Sequence, residues 1–322
     1  PLAMGADWTH WRGPAFNGAG DETNLPTDWS TEKNVAWSTT LPGPSSATPV
    51  VSGKHIFISS TANDLIELRA ICISADTGKI LWSKTLGAGR KAMRNNMATP
   101  SPVTDGKSVY FLYGTGDIAA LGFDGKILWS RKLEEAYGRF AVKFGYSSSP
   151  LLYEGKLFVC LLREPARVKK ESPGATQTES YLLALDPASG KEIWKQVRYT
   201  PAKEEAFDTY GSPVPCEIGG TKGVMLGGGD MAGNDGPIYS PSAFRQVMFP
   251  AYAHLMDELR DLDVHYCFRS DGNLWPVSDM LFGEAGVPGF GEVDRDATMA
   301  MGALRERYPD IVVWGNMSSK LL

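Results

Sequence analysis

The sequence predicts a mixed fold: a mainly β part, built as an incomplete β-propeller, followed by a shorter α/β part of incomplete β/α units. Three observations support this prediction. Residues 7–228 repeat a four-strand pattern roughly every 45 to 65 residues, and each complete copy ends in a tryptophan. The pattern stops within its fourth copy. From Asp230 onward, short β-rich runs alternate with helical stretches and nothing repeats.

The composition is that of a globular protein, with 43% hydrophobic and 21% charged residues in a chain of 322. A net charge of −5 argues against nucleic acid or an anionic membrane surface as the partner. The sequence contains no apolar run of the ~20 residues that a membrane-spanning helix needs. Residues 1–6 lack the basic start and the apolar stretch of a signal peptide, and we expect them to be a cloning remnant.

Three local patterns are expected to have no chemical role. The cysteines, at 72, 160, 216 and 267, form no Cys-x-x-Cys pair, so they are predicted to be buried apolar side chains rather than zinc ligands or a redox pair. The basic run 167–170 lies beside acidic residues and is predicted to be a solvated loop. The pair Glu134-Glu135 is predicted to lie on the solvated surface.

Each copy of the repeat has the same physical order. It begins with a Ser-Pro or Thr-Pro pair, because the missing N–H of proline does least harm at the start of a strand. A Gly-Lys turn and two β-rich runs follow, and an Asp-x-x-Gly-Lys or Asp-Gly-Lys turn leads into the last strand. Four short strands separated by such turns have the composition of one propeller blade. Residues 7–228 therefore hold three full blades and two partial ones.

The repeated tryptophans are predicted to be structural anchors between stacked blades rather than ligand contacts. They occupy equivalent points of successive copies, at Trp37, Trp82, Trp129 and Trp194. Trp37 would close a blade whose earlier strands lie elsewhere in the chain.

The repeat, together with the N-terminal run from Asp7 to Pro14, resembles the quinoprotein-like (PQQ-like) β-propeller family. This resemblance implies an exported protein and either of two activities. Dehydrogenases of the family hold their quinone with calcium-ligating carboxylates, an aspartate base and often a vicinal cysteine pair, and the sequence shows none of these patterns. The resemblance therefore favours a non-catalytic scaffold that binds a protein partner through its propeller face, without PQQ.

The second segment is predicted to alternate strands and helices. A stripe of apolar residues at steps of three and four predicts a helix over 251–262. Helical stretches are also predicted over 276–284 and 299–308, and strands over 264–268 and 311–314. Because polar residues follow the strands, the pattern is that of β/α units.

This segment, residues 229–322, resembles the C-terminal part of the uroporphyrinogen decarboxylase superfamily, which includes corrinoid methyltransferases. The resemblance rests on Asp230-Met231-Ala232-Gly233, on Ser270-Asp271-Gly272-Asn273 and on Trp314-Gly315-Asn316. It implies a cytoplasmic, TIM-type barrel with Asp230, Asp271 and Asn273 at the carboxyl ends of its strands. Arg269 stands where relatives commonly have histidine, and Asp271 stands at their cysteine position, so the zinc chemistry of the methyltransferase branch is not supported.

Arg269 joins those three residues as a substrate-binding candidate, and no catalytic residue is assigned. His265 and Cys267 would share one face of a strand, but two ligands make a weak zinc site and a packed core face is favoured. The segment also lacks the first half of a barrel. It offers about three β/α units, whereas a complete barrel needs roughly 200 residues or more.

Three hypotheses follow. The first is a β-propeller binding module carrying a foreign, incomplete barrel segment. The second is a decarboxylase-like or methyltransferase-like enzyme that acts through the C-terminal segment. The third is an artificial join of two protein fragments. Because each partial fold would expose sheet edges, association with further copies would complete them.

Overall fold

In a computed structural model of the chain, two compact units are seen, Pro1–Gly227 and Gly228–Leu322. The structure describes residues 7–315 except 17, 19, 24, 92–94, 199–206, 209, 219–220, 226–230, 234 and 260–265. No helix within these described residues is long and apolar enough to cross a membrane.

Three four-stranded antiparallel sheets make up most of the first unit, and in each sheet the strands follow chain order. The first sheet contains β1 (Val50–Ser52), β2 (His55–Thr61), β3 (Glu67–Ser74) and β4 (Ile80–Ala88). The second contains β5 (Val103–Thr104), β6 (Ser108–Leu112), β7 (Asp117–Gly122) and β8 (Ile127–Lys132). The third contains β9 (Leu151–Tyr153), β10 (Lys156–Leu161), β11 (Ser180–Leu185) and β12 (Glu192–Arg198). The prediction of a mainly β fold built from four-stranded units is confirmed.

The connections contain two short helices, and a fourth sheet follows the third. Helix α1 (Leu133–Tyr137) comes directly after β8, and α2 (Pro165–Glu171) lies between β10 and β11. The fourth sheet consists of the antiparallel pair β13 (Val214–Ile218) and β14 (Thr221–Met225). The run 167–170 thus belongs to a helix that begins at a proline, and the prediction of a loop there was wrong. Proline is favoured in the first turn because its missing N–H would have no intrahelical partner.

Consecutive sheets are joined where their first strands begin. The backbone N–H of Thr48 donates to Oγ of Ser101 at 2.8 Å, and the N–H of Ser101 donates to Oγ of Ser149 at 3.0 Å. The N–H of Ser149 in turn donates to Oγ of Ser212 at 2.8 Å. We call these four residues the serine ladder. Because each one precedes a proline, the same dipeptide starts a strand and links it to the next sheet.

The N-terminal segment crosses the opposite ends of the same first strands. Trp8 exchanges backbone hydrogen bonds of 2.9 and 2.8 Å with Val51. The N–H of Thr104 donates to the carbonyl of Thr9 at 3.1 Å. The ring of His10 reaches the carbonyl of Leu152 at 3.0 Å. Residues 8–10 therefore tie β1, β5 and β9 together.

The cores lie between neighbouring sheets, because side chains alternate along each strand. In the second sheet, Val109 and Phe111 of β6 point into a core shared with Phe57 and Leu68 of the first sheet. Their neighbours point the other way, into a core shared with the third sheet. That core includes Tyr110, Leu112, Leu157, Val159 and Leu183. The second sheet is consequently packed on both faces.

The second unit contains a three-stranded sheet and several short helices. The hairpin β15 (Ala232–Gly233) and β16 (Gly236–Pro237) opens it. The sheet consists of β17 (Cys267–Arg269), β18 (Gly289–Val293) and β19 (Val312–Gly315), which pair in parallel in that order. The helices are α3 (Pro241–Ala243), α4 (Phe249–Leu259), α5 (Trp275–Ser278) and α6 (Met301–Arg307). A π-helical turn, Phe244–Met248, connects α3 to α4, and another, Asp279–Glu284, continues α5.

Phe244, Phe268, Leu281 and Phe290 are almost fully buried in one core that joins these helices to the sheet. The predicted alternation of strands and helices is therefore observed in this unit, as a three-stranded parallel sheet. The predicted helix over 251–262 is observed from Phe249 to Leu259, and the rest of it lies outside the described residues.

Candidate functional site

The longest connections between the described strands of the first unit lie on one face. Because the strands of each sheet run up and down in chain order, turns after the second and fourth strands fall on the same side. These connections cover 62–66, 89–102, 113–116, 133–150 and 162–179. We call this side the loop face. The opposite side carries tight turns such as 53–54, 105–107 and 154–155. Binding residues concentrate on long loops held by a rigid scaffold, so the loop face is the candidate site.

A groove of about 560 Å³ opens between the first and second sheets at the loop face. Its wall combines apolar and charged side chains, with Tyr113, Asp117, Arg131, Lys132 and Glu135 among them. Burial raises the pKa of Asp117 from its ordinary value, although Oγ1 of Thr115 donates to the carboxylate at 2.5 Å. The groove therefore presents both charges, in a space large enough for a side-chain-sized group.

An ion pair holds two connections of the loop face together. The guanidinium of Arg90 donates to both carboxylate oxygens of Glu134, at 2.9 and 2.6 Å. The N–H of Phe140 donates to the same carboxylate at 2.7 Å. Only 22% of the Glu134 side chain is exposed, so the prediction that this residue belongs to the solvated surface was wrong. Its partner lies 44 positions earlier in the sequence, where no local pattern marks it.

Among the described residues, Arg163 is the largest fully buried side chain. It donates to the carbonyls of Tyr137 at 2.8 Å and of Gln177 and Glu179 at 3.2 Å each, and also to that of Arg139. Burial lowers the pKa of this guanidinium from its ordinary value. A buried charge is tolerated only when its hydrogen bonds are made, and here four carbonyls provide them. Arg163 thereby joins the connection after β8 to the one after β10.

Asp208 joins a third connection to these two. Its side chain is fully buried and accepts from the N–H of Lys143 at 2.9 Å and from that of Glu164 at 2.8 Å. Nε of Arg167 lies 3.8 Å from Oδ2 of Asp208. Burial raises the pKa of Asp208, while the two backbone hydrogen bonds act in the opposite direction. Sequence reasoning did not identify Asp208 or Arg163, because their partners are carbonyls and amides of distant loops.

Three of the four predicted tryptophan anchors make the same contact with the following turn. The indole N–H groups of Trp37, Trp82 and Trp129 donate to the carbonyls of Ala75, Phe123 and Pro187 at 2.9, 2.8 and 2.7 Å. Each ring also covers a glycine whose φ is positive, namely Gly78, Gly125 and Gly190. A Cβ on these glycines would lie 2.5, 2.9 and 2.6 Å from the ring. Glycine is therefore required for two reasons: the positive φ disfavours other residues, and a side chain would collide with the indole ring.

Trp194 differs from the other three tryptophans. Its side chain is 37% exposed, and its ring lies 5.8 Å from that of Phe158 in the same sheet. The part of the chain that the structure describes contains no hydrogen-bond acceptor for its indole N–H.

Three of the four substrate-binding candidates of the second unit lie at the end of β17: Arg269 is its last residue, and Asp271 and Asn273 follow it. Asp230 lies outside the described residues, but the N–H of its neighbour Met231 donates to Oγ of Ser270 at 2.8 Å. Arg269 forms an ion pair with Glu292 of the adjacent strand. Glu292 has a φ of +63°.

Asp271 is exposed, and the side chain of Asn273 accepts from the N–H of Trp275 at 3.0 Å. These residues lie at the carboxyl edge of the parallel sheet, where α/β proteins bind ligands. His265 and the side chain of Cys267 lie outside the described residues.

The described residues do not fit a quinone site of the dehydrogenase type or a zinc site. Over the described positions no three His, Cys, Asp or Glu side chains come together as a metal site would require. Cys72 and Cys160 are buried in different sheets, and burial raises the pKa of each thiol to about 12. Neither thiol can serve as half of a vicinal pair.

Comparison with known proteins shows what the repeats are similar to. A PQQ-repeat family model, described as outer membrane protein assembly factor BamB, matches residues 21–170. The polyvinylalcohol dehydrogenase of a Pseudomonas species is 27% identical over 174 residues, which are 53% of this chain and 25% of the relative. The chain therefore spans about a quarter of the length of that curated relative.

Two solved structures show a distant likeness. A europium-containing methanol dehydrogenase has a TM-score of 0.42 and 17% identity, and covers 62% of this chain and 33% of its own. BamB from Moraxella catarrhalis has a TM-score of 0.34 and 15% identity, and covers 62% of each chain. Neither a uroporphyrinogen decarboxylase-like segment nor a join of two fragments gains support from these comparisons. Residues 21–170 are therefore similar to the PQQ-like, BamB-type repeat family.

Proposed function

We propose that the first unit is a protein-binding module of the β-propeller type, and that its partner docks on the loop face. The observation that carries this proposal is the rigid tethering of long connections. The Arg90–Glu134 pair, buried Arg163 and buried Asp208 hold these connections to one another. A preformed surface binds with less loss of conformational entropy than mobile loops do.

Two further observations support a protein as the partner. The family model that matches residues 21–170 is described as an outer membrane protein assembly factor, a role that works through contacts between proteins. Helix α2, in the connection 162–179 of the loop face, presents the exposed Lys169 and Lys170, and the groove on the same face carries both charges. Such a surface suits a partner of mixed charge, because complementary charges steer association and fix orientation. The proposal includes an exported location for this part of the chain.

A site-specific crosslinking experiment tests the proposal. A photoreactive amino acid replaces Lys169 on the loop face or, as the matched control, Lys107 on the opposite face, in the full chain. Both lysines are exposed. In an extract of the source cells we expect one discrete protein adduct from position 169, displaced by excess unlabelled chain. The Lys169→Glu/Lys170→Glu variant should displace it poorly. Identical adducts from both positions, or none from position 169, would contradict the proposal.

A second candidate function concerns the carboxyl edge of the parallel sheet. Arg269 ends a strand of that sheet and Asp271 follows it, and the neighbouring Glu292 has the rare positive φ that often marks functional positions. The candidate is the uroporphyrinogen decarboxylase-like or corrinoid methyltransferase-like activity. Incubation of the full chain with uroporphyrinogen, followed by mass spectrometry, tests it. Decarboxylation that is observed with the unmodified chain and lost in the Asp271→Asn variant would support the decarboxylase-like activity, and an unchanged substrate would exclude that activity.

A further inference from the structure

The exposed Trp194 marks a gap in the repeated contacts of the first unit. In the three preceding cases a tryptophan donates its indole N–H to a turn and covers a left-handed glycine of that turn. Like Trp194 of β12, Trp82 and Trp129 lie in the fourth strands of their sheets, whereas Trp37 precedes the first strand. The turn always joins the third and fourth strands of the following sheet. For Trp194 the following sheet is the fourth one. That sheet contains only β13 and β14 among the described residues, so the turn that would cover Trp194 is not found there.

The fourth sheet nevertheless begins as the others do. Ser212 accepts the hydrogen bond that continues the serine ladder from Ser149, and Pro213 precedes β13. Strand β14 pairs with β13 and, within the described part of the chain, with no other strand. Its second edge therefore corresponds to the edge at which the first three sheets add their third strands. Such an edge pairs readily with a strand from another chain.

We propose that this fourth sheet binds a β-hairpin of another protein, which adds two strands to β14 and places the glycine of its turn on Trp194. The three contacts already present in the chain define the chemistry of this partner. Its turn resembles Asp-Gly-Lys or Asp-x-x-Gly-Lys, with a glycine of positive φ under the indole ring. A backbone carbonyl of the turn accepts the hydrogen bond of the indole N–H.

A second copy of this chain is not the expected partner. Its three equivalent glycines, at 78, 125 and 190, are already covered by its own tryptophans. A copy could offer such a turn only by giving up one of its packed sheets. The turns that join third and fourth strands lie on the side opposite the loop face, so this surface is separate from the one proposed above. The two proposals can therefore fail independently.

The test uses a hairpin that the chain itself supplies as a template. A fluorescein-labelled synthetic peptide of residues 115–132 contains β7, the turn Asp124-Gly125-Lys126 and β8. Its binding to the full chain is followed by fluorescence anisotropy. The control peptide carries Gly125→Val, because a β-branched residue is strained at the φ of +80° found there and would strike an indole ring. The test variant of the protein is Trp194→Ala. Its matched control is Trp29→Ala, because Trp29 is also exposed, at 60%.

We expect saturable binding that weakens at least about tenfold with Trp194→Ala or with the Gly125→Val peptide and is unchanged by Trp29→Ala. Trp194→Phe retains the ring but loses the N–H, so its affinity should be intermediate. This variant also serves if circular dichroism shows that Trp194→Ala does not fold. Absence of saturable binding overturns the proposal. An affinity that is the same in the unmodified chain, Trp194→Ala and Trp194→Phe also overturns it, because the peptide would then be replacing a strand elsewhere in the chain.

Discussion

The backbone N–H of Ser101 donates a hydrogen bond of 3.0 Å to Oγ of Ser149, across the boundary between the second and third sheets. The same bond joins the first sheet to the second and the third to the fourth. Each serine stands directly before the proline that starts a strand. The repeat therefore specifies with one dipeptide both where a strand begins and how it is tied to the sheet before it.

Removing one rung of the serine ladder should destabilise the first unit. Ser149 is 5% exposed, and Ser149→Ala leaves the buried N–H of Ser101 without an acceptor. We expect the free energy of unfolding to fall by about 1–3 kcal/mol, as measured by urea denaturation. The control is Ser83→Ala, which removes an exposed hydroxyl of β4 and should change the free energy by less than about 0.5 kcal/mol. Equal effects of the two variants would show that the rung contributes nothing.

The contact between tryptophan and glycine can be separated from backbone strain by comparing two glycines. Gly125 and Gly155 have φ values of +80° and +70°. A Cβ on Gly125 would lie 2.9 Å from the ring of Trp82, whereas a Cβ on Gly155 would have no neighbour within 4 Å. We expect Gly155→Ala to lower the free energy of unfolding by about 1–2 kcal/mol, through strain alone.

Gly125→Ala should cost more than Gly155→Ala, because Trp82 must also move. Its indole N–H would then lose the carbonyl of Phe123, now 2.8 Å away. Urea denaturation measures the loss of stability, and the fluorescence of Trp82 reports the displacement of its indole ring. A cost for Gly125→Ala no greater than that for Gly155→Ala would mean that the ring adapts without loss.

The strand pattern could be predicted because its signals are local. Pro49, Pro102 and Pro150 each stand directly before a first strand, and alternating apolar residues follow them. The loop face could not be predicted in the same way. Glu134 looks like a surface residue until Arg90 is placed beside it, and Arg163 has carbonyls as partners, which every residue carries. Such contacts depend on how the sheets stack, and no pattern in a short window reports that.

The second unit shows the same limit. The strands near Phe268 and Val313 and the helix over 249–259 follow from apolar runs and stripes in the sequence. The two π-helical turns, at 244–248 and 279–284, do not, because one extra residue in a turn leaves the apolar stripe almost unchanged. The positive φ of Glu292 is likewise visible only in the structure.

Arg163 should be among the most sensitive positions of the loop face. Arg163→Met keeps a long apolar stem but leaves the carbonyls of Tyr137, Arg139, Gln177 and Glu179 without their donor. We expect a loss of at least about 3 kcal/mol in the free energy of unfolding, because several buried acceptors become unsatisfied together. Arg163→Lys should retain only part of this stability, because an ammonium group cannot donate to all four carbonyls as the planar guanidinium does.

Hydrogen exchange should locate the Arg163 effect. Amides of residues 137–146 and 177–180 should exchange faster in Arg163→Met, while those of the first sheet should keep their protection. Lys169→Met, which removes an exposed charge from α2, is the control and should leave both patterns unchanged. Uniform loss of protection throughout the first unit would mean that Arg163 supports the whole fold rather than the loop face.

His10 should make the stability of the first unit depend on pH. Its Nε2 lies 3.0 Å from the carbonyl of Leu152, and its Nδ1 lies 2.9 Å from Oγ1 of Thr9. The neutral ring suits both neighbours, since Nε2–H donates to the carbonyl while Nδ1 accepts from the hydroxyl. Burial lowers the pKa of His10 in the folded chain. Between that lowered pKa and the unfolded value of about 6.5, the unfolded state therefore binds more protons than the folded state does.

The contribution of His10 is consequently complete above a pH of about 6.5 and is lost as the pH falls through that value towards the lowered pKa. Urea midpoints measured from pH 7.5 down to pH 5 should decrease in the unmodified chain. The decrease should be smaller in His10→Phe, which cannot titrate, whatever its absolute stability. Thr9→Ala keeps the imidazole and should retain the pH dependence. If the urea midpoint changed equally with pH in His10→Phe and in the unmodified chain, the folded chain would tolerate the charged ring. The segment of residues 8–10 would then adapt to that charge without separating from β9.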